Sequence, residues 1–162
     1  MGENTKVRKC SHTLIQLIAL LSDRRIYLLI FGVLQLFRFN LPKEDQVSGH
    51  TISSVILARV AKPGTENNWW PSYVYRPYTP VSAEGDVGHI DLVIKEYKDG
   101  KSSKYIHSLK PGDKIAAIGP FNHNQYHAND YESVGMIAAG SGITPMVIII
   151  DVYSIGYPGY SC

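Results

Sequence analysis

The chain has 162 residues, 44% of them hydrophobic, which is enough for one packed domain, or one domain and part of a second, and excludes wholesale disorder. Lys and Arg (16) against Asp and Glu (14) leave a formal charge of +2, and neither sign forms a long block, so bulk charge points to no nucleic-acid or polybasic membrane surface. The two cysteines, Cys10 and Cys162, stand near opposite ends, which is neither a disulfide framework nor a zinc ligand set and fits a reducing compartment.

In chain order, residues 1–36 come first. Leu14 to Leu21 is apolar, Ser22 to Arg25 is polar and charged, and Ile26 to Phe37 is apolar again. Neither run reaches the roughly 20 residues that a spanning helix needs. Three readings stay open: a buried helix or strand of a soluble domain, an interfacial membrane anchor, or a segment foreign to the fold. No small-residue cleavage site follows the apolar runs, and Lys6 stands where a myristoylation signal needs Ser or Thr.

From residue 37 the pattern changes to short strand-like pieces between turn formers, in keeping with eleven tyrosines, nine prolines and fourteen glycines. Phe37 to Leu41 alternates apolar and polar and ends at Pro42. Thr51 to Val60 is rich in β-branched residues and closes at Lys62-Pro63-Gly64. Tyr73 to Tyr75 leads into Arg76-Pro77-Tyr78-Thr79-Pro80, whose prolines interrupt any regular ladder. His89 to Tyr97 is a longer strand followed by the Asp99-Gly100 turn. Ser102 to Leu109 fits a short helix capped by Ser102 or Ser103, and Lys114 to Ile118 is one more strand. Five or six strands with one short helix predict a small antiparallel barrel over residues 37–121.

Residues 122–133 are polar and fit a linker. His123, Asn124 and His127 within it lack the carboxylate or Cys that would complete a metal site. Val134 to Ala139 is then continuously apolar, as in a strand buried on both faces of a parallel sheet. Gly140-Ser141-Gly142-Ile143-Thr144-Pro145 adds a glycine turn, with Thr144 as helix cap and Pro145 as first helical residue. Residues 134–162 thus predict the opening of an α/β lobe.

Three pieces carry candidate chemistry. Arg76, Tyr78 and Thr79 set a guanidinium, a flat aromatic and a hydroxyl on a proline-stiffened strand, which suits a pyrophosphate, an isoalloxazine or ribityl chain, and a polar ring edge. The segment after Gly100 offers free helix N–H groups and the Ser102 and Ser103 hydroxyls to an anion. Gly140-Ser141-Gly142 lets a nucleotide approach the backbone, although Pro145 breaks the full G-x-G-x-x-G pattern. Taken singly, each piece also fits a surface turn, an ordinary helix cap beside a solvated lysine, or a plain glycine turn.

In order and spacing these pieces resemble the ferredoxin-reductase superfamily, and within it the NADH-cytochrome b5 reductases. The resemblance rests on Phe37 to Pro42, on Arg76-Pro77-Tyr78-Thr79-Pro80-Val81-Ser82, on GKSSKYIHSLKPGD from Gly100 to Asp113, and on GMIAAGSGITPM from Gly135 to Met146, together spanning about two thirds of the chain. It implies a mainly β fold: a six-stranded antiparallel FAD-binding barrel with one short helix, then the first strand and turn of an incomplete α/β lobe for NADH. Hydride would pass from NADH to FAD, and single electrons onward to cytochrome b5 or a similar haem protein. Arg76, Pro77 and Tyr78 would line FAD, with Thr79 beside the ring. Val93 and Lys95 would flank it. Lys101, Ser102 and Ser103 would form the phosphate-binding helix start. Thr144 would lie close to the flavin, and Gly140, Ser141 and Gly142 at the edge of the nicotinamide site. No residue acts as a general acid or base, because the cofactor carries the chemistry. By the same resemblance the protein would sit in the cytosol or on the cytoplasmic side of the endoplasmic reticulum or outer mitochondrial membrane, with peripheral membrane association.

Three departures stand out. Only Gly49-His50 remains of the family's Gly-Gln-His step. The usual Gly-Pro-x-Gly turn reads Gly119-Pro120-Phe121-Asn122, a tolerable change because Asn can adopt the left-handed conformation that Gly would take. The chain stops soon after Pro145, where the family continues with a helix, further βα units and a Cys-Gly-Pro-Pro-type motif. The expectation is a truncated chain, able at the least to act as a non-catalytic flavin-binding fragment.

Overall fold

The computed structural model describes residues 15–29, 32–61, 69, 72–122 and 132–155. Six strands, β1 (Ile15–Leu29), β2 (Gly32–Asn40), β3 (Val55–Ala61), β4 (Tyr73–Tyr78), β5 (His89–Lys95) and β6 (Lys114–Phe121), form one antiparallel sheet in the order β4-β3-β6-β1-β2-β5. Helix α1 (Lys101–Ser108) lies between β5 and β6, and α2 (Ile143–Ile155) follows a 3-10 turn at Gly140–Gly142. No described helix is long and apolar enough to cross a membrane.

The sheet begins well before the boundary expected at residue 37. β1 pairs with β6 from Ile15 opposite Gly119 to Leu20 opposite Lys114, and with β2 from Leu20 opposite Asn40 to Leu29 opposite Gly32. Of the readings open for residues 1–36, the strand is the one adopted by 15–29. Its register slips between Leu21 and Asp23, where the charged interruption begins, so the extra residue is absorbed as a bulge instead of ending the strand.

The fold is mainly β as expected, but among the described residues no strand ladder closes the sheet into a barrel. Between its edges, β4 and β5, the links are one bridge from Pro80 to Leu92 and the hydrogen bond from Val81 N–H to the Asp91 carbonyl (2.9 Å). Pro77 and Pro80 have no N–H to give a regular ladder there. The next residues are tied down by side chains. Ser82 Oγ accepts from Asp91 N–H at 3.2 Å, and the Ser82 carbonyl accepts from His50 Nε2 at 2.9 Å.

Alternation explains the core. β3 buries Ile56, Ala58 and Val60 and leaves its odd positions half-buried, as one face of an antiparallel sheet requires. Phe37 and Phe39 of β2, Ile90, Leu92 and Ile94 of β5, and Ile115 and Ala117 of β6 supply the rest of that interior, and Ile106 and Leu109 plug one side from α1 and its end. Phe37 is fully buried, stacks on Phe39 (centroids 6.3 Å apart) and meets the His107 ring edge-on at 5.1 Å. A buried Phe contributes about 1.5–3 kcal/mol by leaving water, so the pair anchors the sheet. Outside the core, Arg38 clamps Asp91 through two hydrogen bonds of 2.8 and 2.7 Å across the β2–β5 pair.

Several local expectations need correction. Residues 51–54 form a turn instead of strand, because Ser54 N–H bonds the Thr51 carbonyl and Ser54 Oγ accepts from Thr51 N–H. Helix α1 is capped by Gly100, not by Ser102 or Ser103, which lie inside the helix. The left-handed conformation open to Asn122 is not used, Ser53 being the only described non-glycine residue with positive φ, and the Asn122 carboxamide oxygen accepts from Ser54. Val134 to Ala139 forms no strand, and Val134, Met136 and Ile137 are exposed. A lone parallel strand has no neighbour to satisfy its backbone or cover its faces. Thr144 and Pro145 are the second and third residues of α2, not its cap and first position. His123, Asn124, His127, Cys10, Cys162 and most of the proposed linker lie outside the described residues.

Candidate functional site

A cleft of about 740 Å³ opens between β4, β5 and its following turn, the start of α1, and the Gly140–Gly142 turn. That size is in the range of small-molecule and cofactor sites. Arg76, Pro77, Tyr78 and Thr79 line it from β4, Val93 and Lys95 from β5, Lys101, Ser102 and Ser103 from α1, and Ser141, Gly142 and Thr144 from the far side. Gly140 does not line it; it opens the turn with φ +56°. Among the described residues no three His, Cys, Asp or Glu side chains group as a metal site.

Strand periodicity arranges these groups. On β4, Val74, Arg76 and Tyr78 share one face at the cleft, and Pro77 between them also borders it, as does Thr79 just past the strand. Tyr78 reaches from that face to α1, where its hydroxyl donates to Ser102 Oγ at 3.3 Å. The arginine-tyrosine strand and the serine helix start are thereby joined directly. Burial pushes the Tyr78 phenol above its usual pKa, outweighing the Ser102 hydrogen bond and the Arg76 charge, so it stays a neutral donor. The Arg76 guanidinium is exposed and gives one bond, to the Tyr75 carbonyl at 3.1 Å, among the described residues. The rest of its five-donor fork is available to a ligand.

At α1 the two serines differ. Ser103 Oγ donates to the Gly100 carbonyl and accepts from Tyr97 N–H, both at 3.2 Å, which commits its proton to the protein. Among the described residues Ser102 Oγ only accepts, from Tyr78, so its own proton can go to a bound anion. The first N–H groups of α1 open on the same space. Gly100 is required at the cap for room: a Cβ there would stand 2.3 Å from Ser103 Oγ and 2.9 Å from Tyr97 Cβ. With Arg76, Lys95 and Lys101 facing Asp99, the cleft carries an excess of positive charge. Guanidinium, ammonium, helix amides and a free hydroxyl form a donor set suited to a pyrophosphate, and the Tyr78 ring suits a flat heterocycle. The residues present therefore fit a flavin dinucleotide.

Val74, Ile94, Tyr97, Asp99, Gly100 and Pro145 also line the cleft and escaped the motif reading. For Tyr97 the signal was available, because it continues the two-residue alternation of Val93 and Lys95. Its ring lies 5.7 Å from Lys95 Nζ, and its hydroxyl meets Ser141 Oγ at 2.8 Å.

An antiparallel sheet with a dinucleotide-sized, cationic cleft at its edge and a glycine turn across the mouth defines a nucleotide-cofactor domain. Residues 30–126 match the family model described as the oxidoreductase FAD-binding domain, and the chain belongs to that family. It is 43% identical over 113 residues to the NADH-cytochrome b5 reductase 2 of Mycosarcoma maydis, covering 70% of this chain and 32% of that protein. It is 44% identical over 117 residues to the NADH-cytochrome b5 reductase-like protein of Arabidopsis thaliana, covering 72% and 35%. The chain thus spans about a third of the length of these curated relatives. The crystal structure of the cytochrome b5 reductase domain of Ulva prolifera nitrate reductase superposes with a TM-score of 0.68 at 29% identity, over 89% of this chain and 58% of that one.

Proposed function

We propose that this chain is the flavin-carrying part of an NADH-dependent oxidoreductase that delivers electrons to cytochrome b5 or a similar haem protein. The observation that carries the reading is the convergence of two separate sequence pieces, Arg76–Thr79 and Gly100–Ser103, on one cleft, joined by the bond from Tyr78 to Ser102. Arg76 and Lys101 would hold the pyrophosphate, helped by the Ser102 hydroxyl and the α1 amides, while Tyr78 would lie against the flat ring or ribityl chain beside Thr79. Val93 and Lys95 would flank the cofactor, and Ser141, Gly142 and Thr144 would face its other side. FAD bound there supplies the hydride and electron chemistry; the chain's own groups bind, orient and shield it. The proposed unit is the whole six-stranded sheet with α1, acting as an open barrel whose edges meet at the Pro80–Leu92 bridge. A location in the cytosol or at the cytoplasmic face of the endoplasmic reticulum or outer mitochondrial membrane belongs to the same proposal, and cell fractionation tests it.

A second reading, flavin binding without NADH turnover, is favoured by the exposed, strandless segment 134–139. One experiment separates the two. The purified protein should show the yellow flavin spectrum, and NADH added anaerobically should bleach it. Colour without bleaching selects the second reading, and a colourless protein that takes up no added FAD removes both.

A further inference from the structure

We infer that Tyr97 is a positioning residue whose hydroxyl latches the Gly140–Gly142 turn onto the sheet and so sets how that turn faces a flavin in the cleft. The second half of this inference rests on the flavin reading above. Tyr97 lies just beyond β5 and is itself held on both sides: its N–H donates to Ser103 Oγ at 3.2 Å, and its carbonyl accepts from Gly100 N–H at 2.9 Å. The residue is 47% exposed, and water could satisfy such a hydroxyl, yet the hydroxyl is committed to Ser141 Oγ, 44 residues further along the chain. On the turn side, Ser141 is held a second time, at its carbonyl, by Thr144 Oγ1 at 3.0 Å.

Packing gives the turn little independent hold. A Cβ built on Gly140 or Gly142 would meet nothing within 4 Å, so no wall stands on the side-chain face of either glycine flanking Ser141; the turn's own bonds, Gly142 N–H to the Ala139 carbonyl (3.0 Å) and Ile143 N–H to the Gly140 and Ser141 carbonyls, hold its shape without tying it to the sheet. With no side-chain wall beside either glycine, the Tyr97–Ser141 hydrogen bond is the contact that ties this turn to the sheet side of the cleft. Ser141, Gly142 and Thr144 line the cleft opposite Tyr78, so a shift of this turn changes the wall facing the ligand.

The test uses the full chain with and without FAD and three variants: Tyr97→Phe, Ser141→Ala and the double substitution. Tyr97→Phe keeps the ring and its Lys95 contact, and Ser141→Ala removes the same bond from the other end. Amide exchange across residues 140–145 should quicken about five- to tenfold in either single variant, the scale expected for loss of one net hydrogen bond. The double variant should be no faster. The visible circular dichroism of bound FAD should change alike in all three, while exchange in β2 and β5 stays as in the parent. Unchanged exchange in both folded single variants, or additive effects in the double, overturns the latch. Faster exchange with an unaltered flavin spectrum overturns the positioning role. Should the parent bind no FAD, the flavin reading and the positioning role fall with it, and the exchange measurement still decides whether the latch exists.

Discussion

Two apolar stretches of this chain read alike and end differently. Val33 to Phe39 in β2 and Val134 to Ala139 are both short, hydrophobic and strand-like, yet Phe37 and Phe39 are buried while Ile137 is 96% exposed in a segment without regular structure. β2 has β1 on one edge and β5 on the other, so its amides and carbonyls are paired on both sides. The later segment has no such neighbours among the described residues. Helix α2, which follows after the Gly140–Gly142 turn, forms regardless, because a helix satisfies its own backbone and a strand cannot. Hydrophobicity thus nominates a strand, and edge partners make it one.

Truncation at the two sites should expose this difference most sharply. Phe37→Ala removes a fully buried ring that touches Phe39 and His107, and should cost about 3–5 kcal/mol in chemical denaturation. Ile137→Ala should stay within about 0.5 kcal/mol of the parent, since little is buried there to lose. Comparable losses at both positions would mean that the second segment packs in solution. Arg76→Ala should leave stability nearly unchanged and weaken FAD binding by about 1.5–3 kcal/mol, roughly ten- to a hundredfold, through loss of a charge-assisted contact. Flavin titration monitored by fluorescence reads this directly, and undiminished affinity would move the pyrophosphate away from β4. Gly100→Ala should follow at about 1–3 kcal/mol of stability, because the new methyl forces Ser103 or Tyr97 aside and disturbs the start of α1. A neutral result there would show that the turn relaxes freely.

Much of the sheet and cleft was legible because both follow a two-residue period. Phe37, Phe39, Ile56, Ala58 and Val60 fall on the buried face by alternation alone, and Arg76 with Tyr78, or Val93 with Lys95, fall together on the cleft face by the same rule. The first strand was harder to see. Asp23, Arg24 and Arg25 interrupt its apolar run and read as a break, whereas the ladder with β2 continues through all three after a one-residue register shift at Ser22. The cap of α1 was misplaced because serine is the commoner cap by propensity, whereas here the available room selects Gly100 and turns Ser103 back toward Tyr97. The failed strand at 134–139 depends on partners, and no local pattern encodes those.

The comparison extends to pH, where the smallest effect is expected and the sheet side alone should respond. His50 is buried beside the 79–82 connection, its Nε2 proton given to the Ser82 carbonyl and its bare Nδ1 accepting from the Ser48 hydroxyl. The neutral ring satisfies both partners. Burial accordingly holds the His50 pKa below its usual 6.5, outweighing the opposite pull of the Ser82 bond and of Glu84 and Asp86. In the unfolded chain the same imidazole titrates near its ordinary value, so below that pH the unfolded state binds a proton that the folded state refuses. Stability from this residue is therefore complete above about pH 6.5 and declines as pH falls towards the depressed folded value. Thermal midpoints from pH 7.5 to 5 should fall more steeply in the parent than in His50→Asn, which cannot take up the proton. Parallel profiles would mean that the ring is accessible to protonation in the fold, and that the link between residues 48–50 and the β4–β5 connection is looser than its hydrogen bonds indicate.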